Sequence, residues 1–462
     1  MVRSAAVVSS DLARVGKRVV VALGVLFGCG CGRSPLPGGP LLLDGGSVAA
    51  AGSSSTIPDA GAPLAGAGGV SGATSVAGRG GATAGFAGQA GAATAGTATT
   101  TWLDPPDSTS TAAAYQVNSA HTGAQPADHL TLPLSERWHH DFGTIALSYP
   151  LVARGRVFIV ANNALYALEL ANGNVAWGPV SLGGTADSSH PAYERGRVFT
   201  VGSTGSFLAF SADDGSAIWS MAVKDASSIT FRKTLPVVYQ GVLYVGADDR
   251  LFAVDGAGGA VKWTLPTESC WTSGAAVGPE GAFVACICGF VYGADVNSGA
   301  ERWSFDGGCT GGGGGATVLL AGGFVYTRDQ EGNVVFDAET GAPVGTVATG
   351  PIPATAGDSL YAVNDGVLFA HRRDSADPVW SFGAADLTTA PLVVGEHVVV
   401  GSEDGVLSVL DARSGKLLSE QQLPAGFAVP NERVDDESPP MTGFAAAEDH
   451  LVITNGSQVR VY

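Results

Sequence analysis

An eleven-residue pattern recurs between residues 167 and 419, and no other feature constrains the fold as strongly. Ala167-Leu-Glu-Leu-Ala-Asn-Gly-Asn-Val-Ala-Trp177, Ala209-Phe-Ser-Ala-Asp-Asp-Gly-Ser-Ala-Ile-Trp219 and Ala253-Val-Asp-Gly-Ala-Gly-Gly-Ala-Val-Lys-Trp263 are of one kind. Gly293-Ala-Asp-Val-Asn-Ser-Gly-Ala-Glu-Arg-Trp303 is a fourth. Val335-Phe-Asp-Ala-Glu-Thr-Gly-Ala-Pro-Val-Gly345 and Val409-Leu-Asp-Ala-Arg-Ser-Gly-Lys-Leu-Leu-Ser419 lack the closing tryptophan. Ala370-His-Arg-Arg-Asp-Ser-Ala-Asp-Pro-Val-Trp380 keeps it but carries Ala376 in place of the glycine. In each window Asp, Asn or Ser can close a turn with its side chain, and the glycine can take the left-handed conformation that ends a short hairpin loop. The window therefore reads strand, turn, strand, with the tryptophan on the second strand, where its ring can fill space against a neighbouring sheet.

Two further strands precede the window in most units. Gly155-Arg-Val-Phe-Ile-Val160, Gly196-Arg-Val-Phe-Thr-Val201, Gly241-Val-Leu-Tyr-Val245 and Gly395-Glu-His-Val-Val-Val400 alternate toward a core, and Pro150, Pro191, Pro236 and Pro391 open a strand before them. Four strands at a spacing of roughly forty residues is the period of a propeller blade. The last unit, from Phe444 to Tyr462, stops before an outer strand, whereas Glu136-Arg-Trp-His-His-Asp-Phe142 is an outer strand with nothing inside it. Pairing the two predicts an all-β, eight-bladed β-propeller of four-stranded antiparallel blades. Its N- and C-terminal strands share the last blade, and Trp138 takes the place that Trp177, Trp219, Trp263, Trp303 and Trp380 take elsewhere.

The window resembles the repeat of the quinoprotein-like (PQQ-like) β-propellers, whose general form is Ala-x-Asp-Ala-x-Thr-Gly-x-x-x-Trp. Tyr115-Gln-Val-Asn-Ser-Ala-His-Thr-Gly123 is similar to the segment that often precedes the first blade in that family. The resemblance spans about residues 110–462. It implies the fold, but it leaves the function open, because the repeat serves quinone-dependent dehydrogenases and cofactor-free proteins alike, among them the lipid-anchored propeller subunit of the outer-membrane β-barrel assembly machinery. A dehydrogenase of this kind implies adjacent cysteines near the quinone and a calcium site of carboxylates and amides. Here the nearest approach is Cys286-Ile-Cys288, so neither PQQ nor calcium is expected, and no catalytic, cofactor or metal residue is assigned.

The rest of the chain divides in two. Arg3, Arg14, Lys17 and Arg18 precede the apolar run from Val19 to Phe27, which has the length of a signal-peptide core and is too short to span a bilayer. Leu26-Phe27-Gly28-Cys29 resembles a bacterial lipobox, which implies cleavage after residue 28, acylation of Cys29 and an outer-membrane lipoprotein facing the periplasm or the cell surface. The alternative is an ordinary cleaved signal followed by two stray cysteines, Cys29 and Cys31. Residues 29–101 read as a flexible tether: from Gly45 to Thr101 the chain is nearly all Gly, Ala, Ser and Thr, too polar and small to offset its chain entropy by burial. The propeller domain is assigned to 102–462.

A net charge of −18 repels nucleic acid and anionic headgroups, which sets a nucleic-acid partner aside. Cys270, Cys286, Cys288 and Cys309 project onto loops and a hairpin of one face around the fourth blade. In an oxidising compartment they should form two disulfides; a four-thiolate zinc site is the alternative, although the spacings are not those of paired CxxC motifs. His139-His140 lies on the closing strand, where successive side chains point to opposite faces. The pairs Asp213-Asp214, Asp248-Asp249 and Glu403-Asp404 sit at turn positions. Two longer loops, Lys224 to Lys233 and Asn431 to Pro440, share the face that carries the cysteines and are the expected interaction surface. Together these features point to a monomeric, non-enzymatic, envelope-tethered propeller that binds a protein or glycan partner. A quinone-dependent dehydrogenase and an outer-membrane assembly factor are the alternatives.

Overall fold

The computed structural model describes residues 105–462 except 145–146, 184–188, 203–204, 224–234, 248, 268–273, 288, 309–314, 329–332, 376, 384–385 and 433–440. The described residues form eight sheets around one axis, seven of four strands and one of five, and in seven of the eight four consecutive strands make a simple antiparallel meander. Numbered in chain order, blades 1 to 7 cover residues 151–181, 191–222, 237–266, 276–305, 319–346, 354–382 and 392–422. Blade 8 is composite. Phe444–Ala447, His450–Asn455 and Gln458–Val461 are its inner three strands, and Trp138–Asp141 pairs antiparallel with the last of them, Trp138 opposite Val461. The predicted closure is observed. A ring closed by hydrogen bonds between the two ends of the domain has no exposed starting or finishing edge to fray.

Within a blade the chain runs up and down, so the two faces of the disc carry different turns. The upper face bears the hairpins between second and third strands and the connections to the next blade; the lower face bears the other two turns of each blade. The prolines noted in the sequence fall at or just before the innermost strands, as at Pro191. That position tolerates a missing donor because one edge of an innermost strand has no partner within its own sheet.

Tryptophan and glycine clasp adjacent blades. The indole Nε1 of Trp138, Trp177, Trp219, Trp263, Trp303 and Trp380 donates to Leu170, Ala212, Gly256, Val296, Ala338 and Ala412 O, respectively, in the next blade. The same rings cover the turn glycines Gly173, Gly215, Gly259, Gly299, Gly341 and Gly415. At Gly215, φ is +72° and a Cβ would stand 2.6 Å from the ring of Trp177, so both backbone conformation and space demand glycine. Blades 5 and 7 have Gly345 and Ser419 in the tryptophan position; in blade 7 the gap is covered from outside. There residues 129–136 run along the wedge instead: Leu130 and Leu134 join the core between blades 7 and 8, and Leu134 N donates to Ser419 Oγ.

Candidate functional site

A propeller offers a ligand its central channel first, because that is where eight edges converge. In this chain the channel is crossed by residues 112–125. Ala112 exchanges backbone hydrogen bonds with Val152 of blade 1, and Ala113 O accepts from Tyr193 of blade 2. Ser119, Ala120, Thr122 and Gly123 O accept from Val277, Leu320, Thr355 and Val393 of blades 4, 5, 6 and 7. Ala124–Gln125 then adds a short parallel strand to blade 7, Gln125 Nε2 reaches Ala446 O of blade 8, and Ala114 joins the apolar cluster that holds Val237 of blade 3. This strap thus touches every blade. Its carbonyls satisfy the inner-edge N–H groups that the strap itself covers.

To turn through the whole ring the strap curls on itself. Gln116, Val117, His121 and Gly123 have φ of 53°, 77°, 56° and 62°, and positive φ is unusual for a β-branched residue such as Val117. Asn118 Oδ1 holds the curl by accepting from Ala120 N and Thr122 N. His121 is buried, with Nδ1 2.7 Å from Tyr115 O and Nε2 3.0 Å from Ala275 O. Both contacts favour the charged ring, yet burial outweighs them and brings its pKa from 6.5 down to about 4. Between those values the unfolded chain binds a proton that the folded chain refuses. The contribution of His121 is therefore fully present above pH 6.5 and is lost as the pH falls toward 4, by about 3 kcal/mol. Denaturant titrations at pH 7, 5.5 and 4 should show this loss, and His121→Gln should flatten it. An unchanged slope in the variant would assign the effect to other groups.

From the upper side a second segment enters the channel. Glu432 follows blade 7, yet its carboxylate lies among blades 5 and 6: it pairs with Arg328, accepts from Ile352 N at 3.0 Å and accepts from Tyr115 Oη of the strap at 2.5 Å. The Glu432 and Arg328 side chains are only 2% and 5% exposed. Arg328 also donates to Thr317 O and Gly350 O, and Thr317 N donates to Glu432 O. Burial and the neighbouring Glu432 carboxylate hold the Tyr115 phenol well above its usual range. Rings continue across the bore from Tyr115 to Tyr149, 5.4 Å apart, and to His190, stacked on Tyr149. Met441 N donates to His190 Nε2.

The sequence treats Asn431 to Pro440 as one exposed loop, and its first residues correct that view, because Glu432 is a core group with a buried cation as partner. Residues 433–440 lie outside the described residues, as does Lys224 to Lys233. Cys29, Cys31, Cys270, Cys288 and Cys309 also lie outside them, whereas Cys286 is buried and disulfide-bonded. His139 Nδ1 meets Glu136 at 2.7 Å, and His140 packs against Phe142. Asp214 accepts from Ser216 within its own turn, and its carboxyl is held low by those bonds.

A tricyclic quinone with its carboxylates needs a concave site of a few hundred Å³. In the described channel the void beside Tyr115, Gln116 and Phe427 is about 20 Å³, room for a water. The charged pair present there neutralises itself, and no group of three or more His, Cys, Asp or Glu side chains that could hold a metal ion occurs among the described residues. These residues do not fit a quinone with calcium.

Comparison with known proteins is consistent with this architecture. A family model described as outer membrane protein assembly factor BamB matches residues 288–458. The crystal structure of BamB from Moraxella catarrhalis superposes with a TM-score of 0.52 at 16% identity, covering 71% of this chain and 96% of that one. Quinohemoprotein alcohol dehydrogenase from Comamonas testosteroni gives 0.58 at 13% identity, covering 76% and 80%. A computationally designed protein gives 0.53 at 14% identity, covering 73% and 98%. No curated protein matches the chain by sequence. At these identities the likenesses establish the fold alone.

Proposed function

Because this chain is a propeller built of the quinoprotein-like repeat, we propose that it is a non-enzymatic scaffold of the cell envelope that binds a protein partner, with its upper face as the contact surface. One observation carries the reading: the space in which the fold would seat a cofactor is filled by the chain's own strap and by the Glu432–Arg328 pair. A filled channel makes the disc rigid and leaves recognition to its faces and rim. The finer reading is assembly of outer-membrane proteins, supported by the name of the family model that matches residues 288–458. Acylation at Cys29 and the tether of residues 29–101 would then hold the disc at the membrane, several acyl chains on one cysteine giving a durable anchor.

The test is affinity capture from envelope extracts with the full chain and with a variant in which residues 224–233 and 433–440 are shortened while Glu432 and Met441 are kept. A specific set of envelope proteins should be captured by the first and lost by the second. Identical capture by both would remove the upper loops as the contact surface. Dye reduction by the purified protein with quinone and calcium would instead favour the dehydrogenase.

A further inference from the structure

A groove of about 400 Å³ opens on the upper rim between blades 3 and 4. Pro266 and Thr267, where blade 3 ends, form one wall; Phe290, Tyr292, Glu301 and Asp306 of blade 4 line the rest, and no arginine or lysine lines it. The ring of Phe305 is turned away onto Phe336 of blade 5, 4.9 Å distant. Phe290 is held by the bond from Cys286 N to its carbonyl, and Cys286 is itself tied down by a disulfide. Thr267 is 6% exposed, and its Oγ1 has no hydrogen-bond partner among the described residues, a cost a native site seldom carries without a ligand or water to relieve it. Neither Glu301 nor Asp306 is neutralised by an ion pair among the described residues. A larger groove between blades 6 and 7 lacks this selectivity, since Arg372 and Arg413 line it together with Glu396 and Asp411.

We infer that the groove between blades 3 and 4 binds an organic cation, an ammonium or guanidinium group on an apolar stem. Two carboxylates supply charge, the rings of Phe290 and Tyr292 accept the stem and the positive edge of the group, and the Thr267 hydroxyl offers a hydrogen bond. The groove lies on the face assigned above to a protein partner, and the inference rests on that reading where the cation is a partner's basic side chain.

Isothermal titration of the full chain with Ac-Gly-Arg-Gly-NH2 and with agmatine tests it, with Ac-Gly-norleucine-Gly-NH2 as the uncharged comparator. Cation binding should be saturable, weaken as salt is added, and fall at least about tenfold in the Glu301→Gln/Asp306→Asn variant. The variant's unfolding midpoint should be unchanged. Binding of the peptide alone points to a protein source for the cation, binding of agmatine alone to a free amine, and both support cation recognition. Equal binding by the norleucine peptide, undiminished binding by the variant, or no saturable binding by either cation overturns it. If the variant loses cation binding but keeps envelope capture, the groove is separate from the partner surface. If the shortened-loop variant captures the same envelope proteins while the groove still binds cations, the partner reading of the loops fails alone.

Discussion

Replacing Trp303 by alanine should destabilise the domain by about 3–5 kcal/mol, the cost of removing a buried indole that fills an inter-blade wedge. The ring is 8% exposed, stacks on Phe283 and Phe336, and donates to Ala338 O of the next blade. Its partner Gly341, at φ +69°, has no room for a side chain beneath the ring. Gly341→Ala should therefore be destabilising for two reasons, the left-handed backbone and the collision with Trp303. The double variant Trp303→Ala/Gly341→Ala should be less costly than the sum of its parts by at least about 1 kcal/mol, because the collision has gone. The sequence already contains this exchange: blade 5 has Gly345 in the tryptophan position of its outer strand, and the next window has Ala376, outside the described residues, in the glycine position. Denaturant unfolding of the four proteins measures the coupling, and strict additivity would contradict the clasp.

Glu432→Gln should cost about 3–5 kcal/mol, since it leaves the buried Arg328 guanidinium without its carboxylate. The stabilising energy of the pair is not itself large, because both ions are desolvated. Arg328→Met/Glu432→Leu should accordingly be much less destabilising than either charge left alone. A double variant as unstable as the worse single one would mean that the pair's other bonds, to Ile352 N and Tyr115 Oη, dominate. Folding should be followed by near-ultraviolet circular dichroism, because Tyr115 and Tyr149 report the packing of the bore directly.

The ring was legible in the sequence because its determinants are local and repeated. Each window states its own turn, each turn glycine is paired with a tryptophan some forty residues earlier, and the two incomplete ends complement each other in one blade. The contents of the channel were not legible in the same way. The strap meets the blades through backbone carbonyls, which any residue supplies, so Ser119, Ala120 and Thr122 carry no signature of what they touch. Val117 and His121, at positive φ, look unremarkable until the curl is seen. Glu432 lies 104 residues from Arg328 and 317 from Tyr115, and nothing in a loop rich in charge distinguishes a buried carboxylate from a solvated one. The groove between blades 3 and 4 was hidden for a similar reason, because Phe290 and Thr267 belong to different units of the repeat.

The most direct test of a self-filled channel is a titration of the purified full chain with pyrroloquinoline quinone and calcium, following the quinone's absorbance and the protein's unfolding midpoint together. A channel occupied by residues 112–125 and by Glu432 predicts no saturable change in either. Stoichiometric uptake of the quinone with a rise in the midpoint, as a ligand specific for the folded state must produce, would contradict it.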